Sequence, residues 1–237
     1  MSEPLVTTLV QRTPIADGVI DFHFALGSPP TLGFRAGQFV TLSVGKDAAG
    51  RDLRRSYSLA STSPASSLRL LLRLVPGGMG SHFFEQLALG DQVAMTGPHG
   101  FFVLDDQHAG DVVIAATGTG IAPVLPMMAE LAARTESGRR HVYWGLRHQS
   151  DLFIPDEVAA ACATASAHLS IHLSRPEPTW TGAKGRIIAP VLAALPALVT
   201  PTFYLVGNGA MIDELKRELV ARGINRKKQI RTEAFFD

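Results

Sequence analysis

Up to about residue 107 the apolar positions recur over short spans and are cut by turn residues. Residues 5–13, 19–26, 38–44, 56–60, 68–75 and 92–96 read as six strands. Asp17-Gly18, Gly27-Ser28-Pro29-Pro30, the stretch 45–50 and Ser63-Pro64 separate most of them. Six such strands predict a small antiparallel β-barrel or sandwich. One short helix is expected over 81–87.

After Asp111 the rhythm changes. Five apolar runs, 112–116, 141–145, 169–173, 202–206 and 230–235, alternate with helix-like segments at 121–134, 156–165, 187–195 and 210–222. In the last of these Met211, Leu215 and Leu219 form one apolar stripe. Asp213 with Arg217 and Glu218 with Arg222 are spaced to pair, and Gly223 ends the helix. Strands alternating with helices predict an α/β unit, a parallel five-stranded sheet with helices on both faces. The expected domains are 1–107 and 108–237, with the boundary near 107–110.

Composition narrows the partners. The 237 residues are 46% hydrophobic and 18% charged, the balance of a globular chain. With 22 basic against 21 acidic side chains the formal charge is +1. Nothing global draws this chain to nucleic acid or to a membrane. The one dense basic run, Arg226-Lys227-Lys228, reads as a solvated loop after a helix or as a docking patch. Cys162 is the only cysteine, which excludes an intrachain disulfide and a four-cysteine iron–sulfur cluster held by this chain alone. The eight histidines show no metal-ligand spacing, and no metal site is expected. Met1-Ser2-Glu3-Pro4 opens no secretory signal, so the cytoplasm is the expected location. The apolar stretch 112–133 is long enough for a membrane span. Thr117-Gly118-Thr119-Gly120, Pro123 and Pro126 interrupt it, and a βα unit explains it better.

Thr117-Gly118-Thr119-Gly120-Ile121-Ala122-Pro123 follows an apolar strand and opens an apolar helix. Glycines let a backbone approach a pyrophosphate, and a helix start offers free N–H groups. Taken alone, the loop reads equally well as a tight βα turn. It also departs from the G-x-G-x-x-G fingerprint, because Pro123 stands where a third glycine would be. The next strand ends in Gly145-Leu146-Arg147, without an acidic residue for a ribose. A second glycine loop, Gly207-Asn208-Gly209, ends the fourth strand and runs into Met211. Ligands of open α/β sheets bind at the carboxyl ends of strands. Two glycine loops at equivalent ends point to one site.

In order along nearly the whole chain, these motifs resemble those of the ferredoxin–NADP reductase-like flavoproteins. Arg54-Arg55-Ser56-Tyr57-Ser58-Leu59-Ala60-Ser61 resembles the family's R-x-Y-S flavin signature. Gly77-Gly78-Met79-Gly80-Ser81 resembles its flavin-diphosphate loop, and Gly97-Pro98-His99-Gly100-Phe101-Phe102 the close of its barrel domain. Thr117 to Pro123, Gly145-Leu146-Arg147, Trp180 to Arg186 and Gly207-Asn208 resemble its nucleotide-binding half.

The resemblance implies a ferredoxin–NAD(P)+ reductase-type oxidoreductase. Hydride would pass between nicotinamide C4 and flavin N5, and electrons would pass singly to a separate protein such as ferredoxin, flavodoxin or an oxygenase component. Arg55 would hold phosphate through its guanidinium fork, and Ser56 belongs to the same signature. Tyr57 would pack on the isoalloxazine and Ser58 would bond near N5. Gly78, Met79, Gly80 and Ser81 would meet the diphosphate, which favours FAD over FMN. Thr117, Gly118, Thr119, Gly120, Gly207, Asn208 and Met211 would border the nicotinamide nucleotide.

Ser174-Arg175, with Arg147, resembles a pair that binds the 2′-phosphate in some relatives, and tilts the choice toward NADP(H) over NAD(H). Both arginines also read as ordinary surface charges. Trp180 and Arg186 belong to a W-x-G-x-x-G-R stretch, which reads as cofactor contact or as a loop anchored by a packed tryptophan. Many relatives carry cysteine where this chain has Val206. Among the last residues Glu233, Phe235 or Phe236 would lie near the flavin. Rival readings are a reductase that uses flavin as a diffusible substrate, and a non-catalytic flavin- and nucleotide-binding subunit. Gly80-Ser81-His82 lacks the second glycine of G-x-S-x-G, which argues against a hydrolase.

Overall fold

The computed structural model describes residues 4–106, 110–135 and 138–235. The chain divides into two compact units, Met1–Val103 and Leu104–Asp237. The expected boundary at 107–110 lies mostly outside the described residues. Leu104 and Asp105 already belong to the second unit, where the Asp105 N–H donates to the Tyr204 hydroxyl at 2.9 Å.

The first unit is a six-stranded antiparallel sheet. Its strands are β1 (Leu5–Ala16), β2 (Val19–Ser28), β3 (Phe39–Lys46), β4 (Asp52–Ser58), β5 (Ser67–Arg73) and β6 (Gln92–His99), and α1 (Met79–Gln86) lies between β5 and β6. They are ordered β4-β3-β6-β1-β2-β5, and the edge strands β4 and β5 approach one another without forming a ladder. The alternation along β1 buries Leu5, Thr7 and Leu9 and leaves Val6 and Val10 exposed. Phe84 of α1 plugs the interior. Its ring centroid stands 5.0 Å from that of Phe22 and 6.4 Å from that of Phe24, and removing such a ring costs about 3–5 kcal/mol.

The second unit is a parallel sheet of six strands, one more than the sequence pattern predicts. They are β7 (Val112–Thr117), β8 (Arg140–Leu146), β9 (Ala167–Leu173), β10 (Ala183–Lys184), β11 (Thr202–Asn208) and β12 (Ile230–Phe235). The added strand, β10, has two residues and pairs with His172 and Leu173 of β9; so short a run leaves no periodicity to read. The helices are α2 (Val124–Ala132), α3 (Pro155–Thr164), α4 (Ile188–Ala194), α5 (Gly209–Ala221) and α6 (Arg226–Gln229). The basic run expected as a loop forms α6, because the Asn225 side chain accepts from the N–H groups of Lys227 and Lys228. No helix among the described residues is long and apolar enough to cross a membrane. The apolar stretch 112–133 is β7, a tight turn and α2.

Strand order is β10-β9-β8-β7-β11-β12. It therefore reverses at β7 and β11, which lie side by side. Both strands are apolar and buried along nearly their whole length, as central parallel strands with helices on both faces must be.

Candidate functional site

In the first unit two motifs separated by more than twenty residues meet. Tyr57 sits on the edge strand β4, half-buried, its ring edge-on to Phe84 with centroids 5.0 Å apart. Its hydroxyl points at the start of α1. A Cβ built on Gly80 would stand 2.5 Å from that oxygen and 3.7 Å from Cγ of Arg55. Glycine is therefore required at 80 for Arg55, Tyr57 and the helix start to share one place. Burial pushes the Tyr57 phenol up to about 12, against a smaller opposing effect of Arg55, so it remains a neutral donor near pH 7. Arg55 is exposed, and its guanidinium bonds the carbonyl of Arg54 at 2.9 Å. No carboxylate pairs with it among the described residues.

The Ser81 hydroxyl accepts from the Val75 N–H at 2.6 Å, and Gly78 N–H donates to the Val75 carbonyl at 2.9 Å. These bonds fix the turn before α1. No side chain caps α1, which leaves its first N–H groups, those of Met79, Gly80 and Ser81, for an anion. Ser58 closes β4, buried and opposite Phe39, whose other neighbour is His99. Ser56 is exposed, its hydroxyl 3.0 Å from that of Thr41.

In the second unit the two glycine loops touch where strand order reverses. A Cβ on Gly120 would meet the Val206 carbonyl oxygen at 2.9 Å and Gly207 Cα at 3.1 Å. Gly207, at φ +109°, leaves no room either, since a Cβ would stand 2.5 Å from both the carbonyl and hydroxyl oxygens of Thr117. The Thr117 hydroxyl accepts from the Asn208 N–H at 2.8 Å and ties one loop to the other. Gly118 to Ile121 form a single 3₁₀ turn, with Gly118 at φ +55°, and Pro123 precedes the first residue of α2.

The placements of several expected residues differ from a simple contact list. The Asn208 side chain caps α5, accepting from Met211 N–H at 3.0 Å. Met211 itself is buried in the core with Leu215 and Leu219, so its side chain belongs to packing. Arg186 forks onto Glu214 of α5 at 3.2 and 2.6 Å. Trp180 donates to the Ala183 carbonyl at 3.0 Å, and a Cβ on Gly182 would strike its ring at 2.4 Å; this is a loop anchored by a packed tryptophan. Arg147 and Arg175, both exposed, follow β8 and β9. The Arg175 N–H donates to the Arg147 carbonyl at 2.8 Å, and Ser174 N–H to that of Leu146 at 3.0 Å. The two arginines are thus neighbours at the carboxyl ends of adjacent strands, neither with a carboxylate partner among the described residues.

At the sheet edge Glu233 lies opposite Val206, and Phe235 opposite Asn208. Phe236 lies outside the described residues. Burial raises the Cys162 thiol to about 11, which makes it inert. No cluster of three or more His, Cys, Asp or Glu side chains suited to a metal occurs among the described residues.

One residue of the site has no counterpart in the motifs. Trp144 of β8, fully buried, donates its indole N–H to the Gly118 carbonyl at 3.0 Å. A buried indole must find an acceptor, but nothing in the sequence says which.

Comparison with known proteins agrees with this division. Residues 6–104 match the family described as oxidoreductase FAD-binding domain, and residues 114–217 that described as oxidoreductase NAD-binding domain. The chain is 31% identical over 231 residues to ferredoxin–NADP reductase B of Sorangium cellulosum (strain So ce56), covering 94% of this chain and 93% of that one. It is 32% identical over 186 residues to the reductase component DmpP of phenol 2-monooxygenase from Pseudomonas sp. (strain CF600), covering 76% of this chain and 50% of the relative. It therefore spans about half the length of that second protein. Among solved structures, the cytochrome P450 reductase GcoB of Amycolatopsis superposes with a TM-score of 0.86 at 28% identity, over 98% of this chain and 70% of that one.

Proposed function

This chain belongs to the ferredoxin–NADP reductase family of flavoproteins, and from that premise we propose that it binds FAD on its first unit and NADP(H) on its second, and exchanges electrons with a separate carrier protein. The observation that carries this reading is the meeting of Arg55, Tyr57 and Gly80 beside an uncapped helix start. A guanidinium without a carboxylate partner and open N–H groups suit a diphosphate, and the adjacent tyrosine ring suits a flat heterocycle. When bound, the flavin supplies what no side chain can, two-electron exchange with nicotinamide and one-electron exchange with a carrier.

The protein's own part is to bind and orient. Arg55 and the N–H groups of Met79, Gly80 and Ser81 hold phosphate, Tyr57 shelters one ring face, and Ser58 offers a hydroxyl to the ring edge. In the second unit, Thr117 to Gly120 and Gly207 present backbone to the nucleotide. Val206 is fully buried and brings no thiol to the reaction. The adjacent Arg147 and Arg175 favour a 2′-phosphate and hence NADP(H) over NAD(H). The Sorangium relative is named for ferredoxin and NADP, the Pseudomonas relative for an oxygenase system. The carrier proposed here is accordingly a ferredoxin, a flavodoxin or an oxygenase component. One cysteine cannot hold a four-cysteine cluster, which supports a carrier that is a separate protein.

The purified protein should be yellow, and NADPH added without oxygen should bleach its flavin bands. A colourless protein that takes up no FAD overturns the reading. Replacing Arg175 by alanine should lower kcat/KM for NADPH about 10-fold or more and leave that for NADH within about twofold. Equal losses with both nucleotides would remove the 2′-phosphate assignment.

A further inference from the structure

The glycine turn after β7 is held from two sides. On one, the Thr117 hydroxyl accepts from Asn208 N–H at 2.8 Å. On the other, the indole of Trp144 donates to the Gly118 carbonyl at 3.0 Å. Trp144 cannot easily move. It is fully buried, opposite Ala116 in the β7–β8 ladder, with its ring edge-on to Phe153 and centroids 5.2 Å apart. Gly118 is the residue at which the chain turns into the left-handed region, at φ +55°, so the direction of its carbonyl fixes how the next two residues leave the strand. Gly120, two residues on, already abuts Val206 and Gly207. The turn is thereby determined at its start by Trp144 and at its end by the neighbouring loop.

We propose that Trp144 is a positioning residue for the nicotinamide nucleotide: its N–H sets the Gly118 peptide, and through it the presentation of Thr119 and Gly120 to the ligand. The proposal rests on the reading of the second unit as the nucleotide-binding unit. Its competitor is that Trp144 only fills the core and that its N–H bonds the nearest carbonyl. The two differ in which atom matters. For core filling it is the ring; for positioning it is the N–H.

The test is Trp144→Phe, together with site-specific replacement of Trp144 by β-benzothienylalanine, which keeps the indole's shape and lacks the donor. Both are assayed as flavin-loaded protein with NADPH and ferricyanide, well below their melting temperatures. Losing the bond should raise KM for NADPH about 3- to 10-fold, with kcat at saturating NADPH within about twofold, since the loss falls on binding shared by ground and transition states. The flavin spectrum should not change. If the phenylalanine variant fails to fold, the isostere alone decides. An isostere with wild-type KM overturns the proposal and leaves the functional reading in place. A wild-type protein that binds neither NADP(H) nor NAD(H) overturns that reading and the proposal with it.

Discussion

The two units build their sites by opposite means. In the first, chemistry is carried by side chains on an edge strand: Arg55 and Tyr57 alternate with Ser56 and Ser58 along β4, and a glycine on the facing helix makes room for a phenol. In the second it is carried by backbone at the two central strands, where Gly120 and Gly207 make room for one another's loops. An antiparallel sheet can leave one face in water, so its strands can present side chains there. A central strand in a doubly covered sheet can expose only its end, so the loop leaving it must do the work with peptide groups. Substitutions should therefore act differently. In the first unit a change of atom should be repairable by a second change of atom; in the second, a change of backbone shape should not.

The sharpest break of this contrast is Gly207→Ala. Its φ of +109° disfavours any Cβ, and the added atom would stand 2.5 Å from two oxygens of Thr117, one of them backbone. The cost should be about 3 kcal/mol or more to the second unit, with loss of NADPH binding and retention of the flavin. No substitution at Thr117 should rescue it, because the Thr117 carbonyl stays wherever the side chain is changed. A Gly207→Ala protein with normal melting and normal KM would show that the loops have slack that the geometry denies.

Gly80→Ala sharpens the other half. Its Cβ would meet only one atom too closely, the Tyr57 hydroxyl oxygen; the next, Arg55 Cγ and Tyr57 Cζ, are at 3.7 and 3.8 Å, ordinary contacts. The ring cannot swing aside freely, since it packs against Phe84. Gly80→Ala alone should weaken FAD binding about 10-fold, although alanine is the better helix former. In a Tyr57→Phe background the same change should cost almost nothing, a coupling of about 1 kcal/mol or more. Additive losses would mean that the alanine acts on the ligand directly and not through the tyrosine.

The same contrast explains what the sequence could convey. Side-chain motifs are legible as residue types: Arg55, Tyr57 and the glycines at 78 and 80 stand in a recognisable order. The change from short strand-like runs to alternating strands and helices after Asp111 locates both folds, while the central place of β7 and β11 comes only from the observed strand order. Pairing across strands is not legible. That Trp144 bonds Gly118, or that Arg175 lies beside Arg147, follows from the register of β7, β8 and β9. Register between parallel strands depends on the crossovers between them. Met211 shows the same limit from the other side. It stands two residues beyond the Gly207-Asn208-Gly209 loop, but the helical turn carries its side chain into the core. Arg186 matches a motif by position while its exposed guanidinium lies against the half-buried Glu214, a surface pairing worth little in water. A phosphate could displace it.

The smallest expected effect concerns acid, and it too should separate the units. On one face of β8 and β9 the second unit buries two imidazole nitrogens, Nε2 of His141 and Nδ1 of His172, which have no hydrogen-bond partner among the described residues. Burial holds both rings below the ordinary histidine range; at His141 the nearby His168 and Arg139 add to this, against a weaker opposite pull from Asp111. A group whose folded pKa is depressed binds its proton more readily when unfolded. The stability it contributes is full above the unfolded value, about 6.5, and is lost as pH falls through the folded one. Melting of the second unit should therefore decline between pH 7 and pH 5, before carboxylates begin to titrate. His172→Gln, which cannot take up the charge, should flatten that decline whatever it costs at pH 7. The comparison to make is of slopes, wild type against variant. Parallel slopes would show that the buried imidazoles find a partner as they protonate, and that acid sensitivity does not distinguish the units.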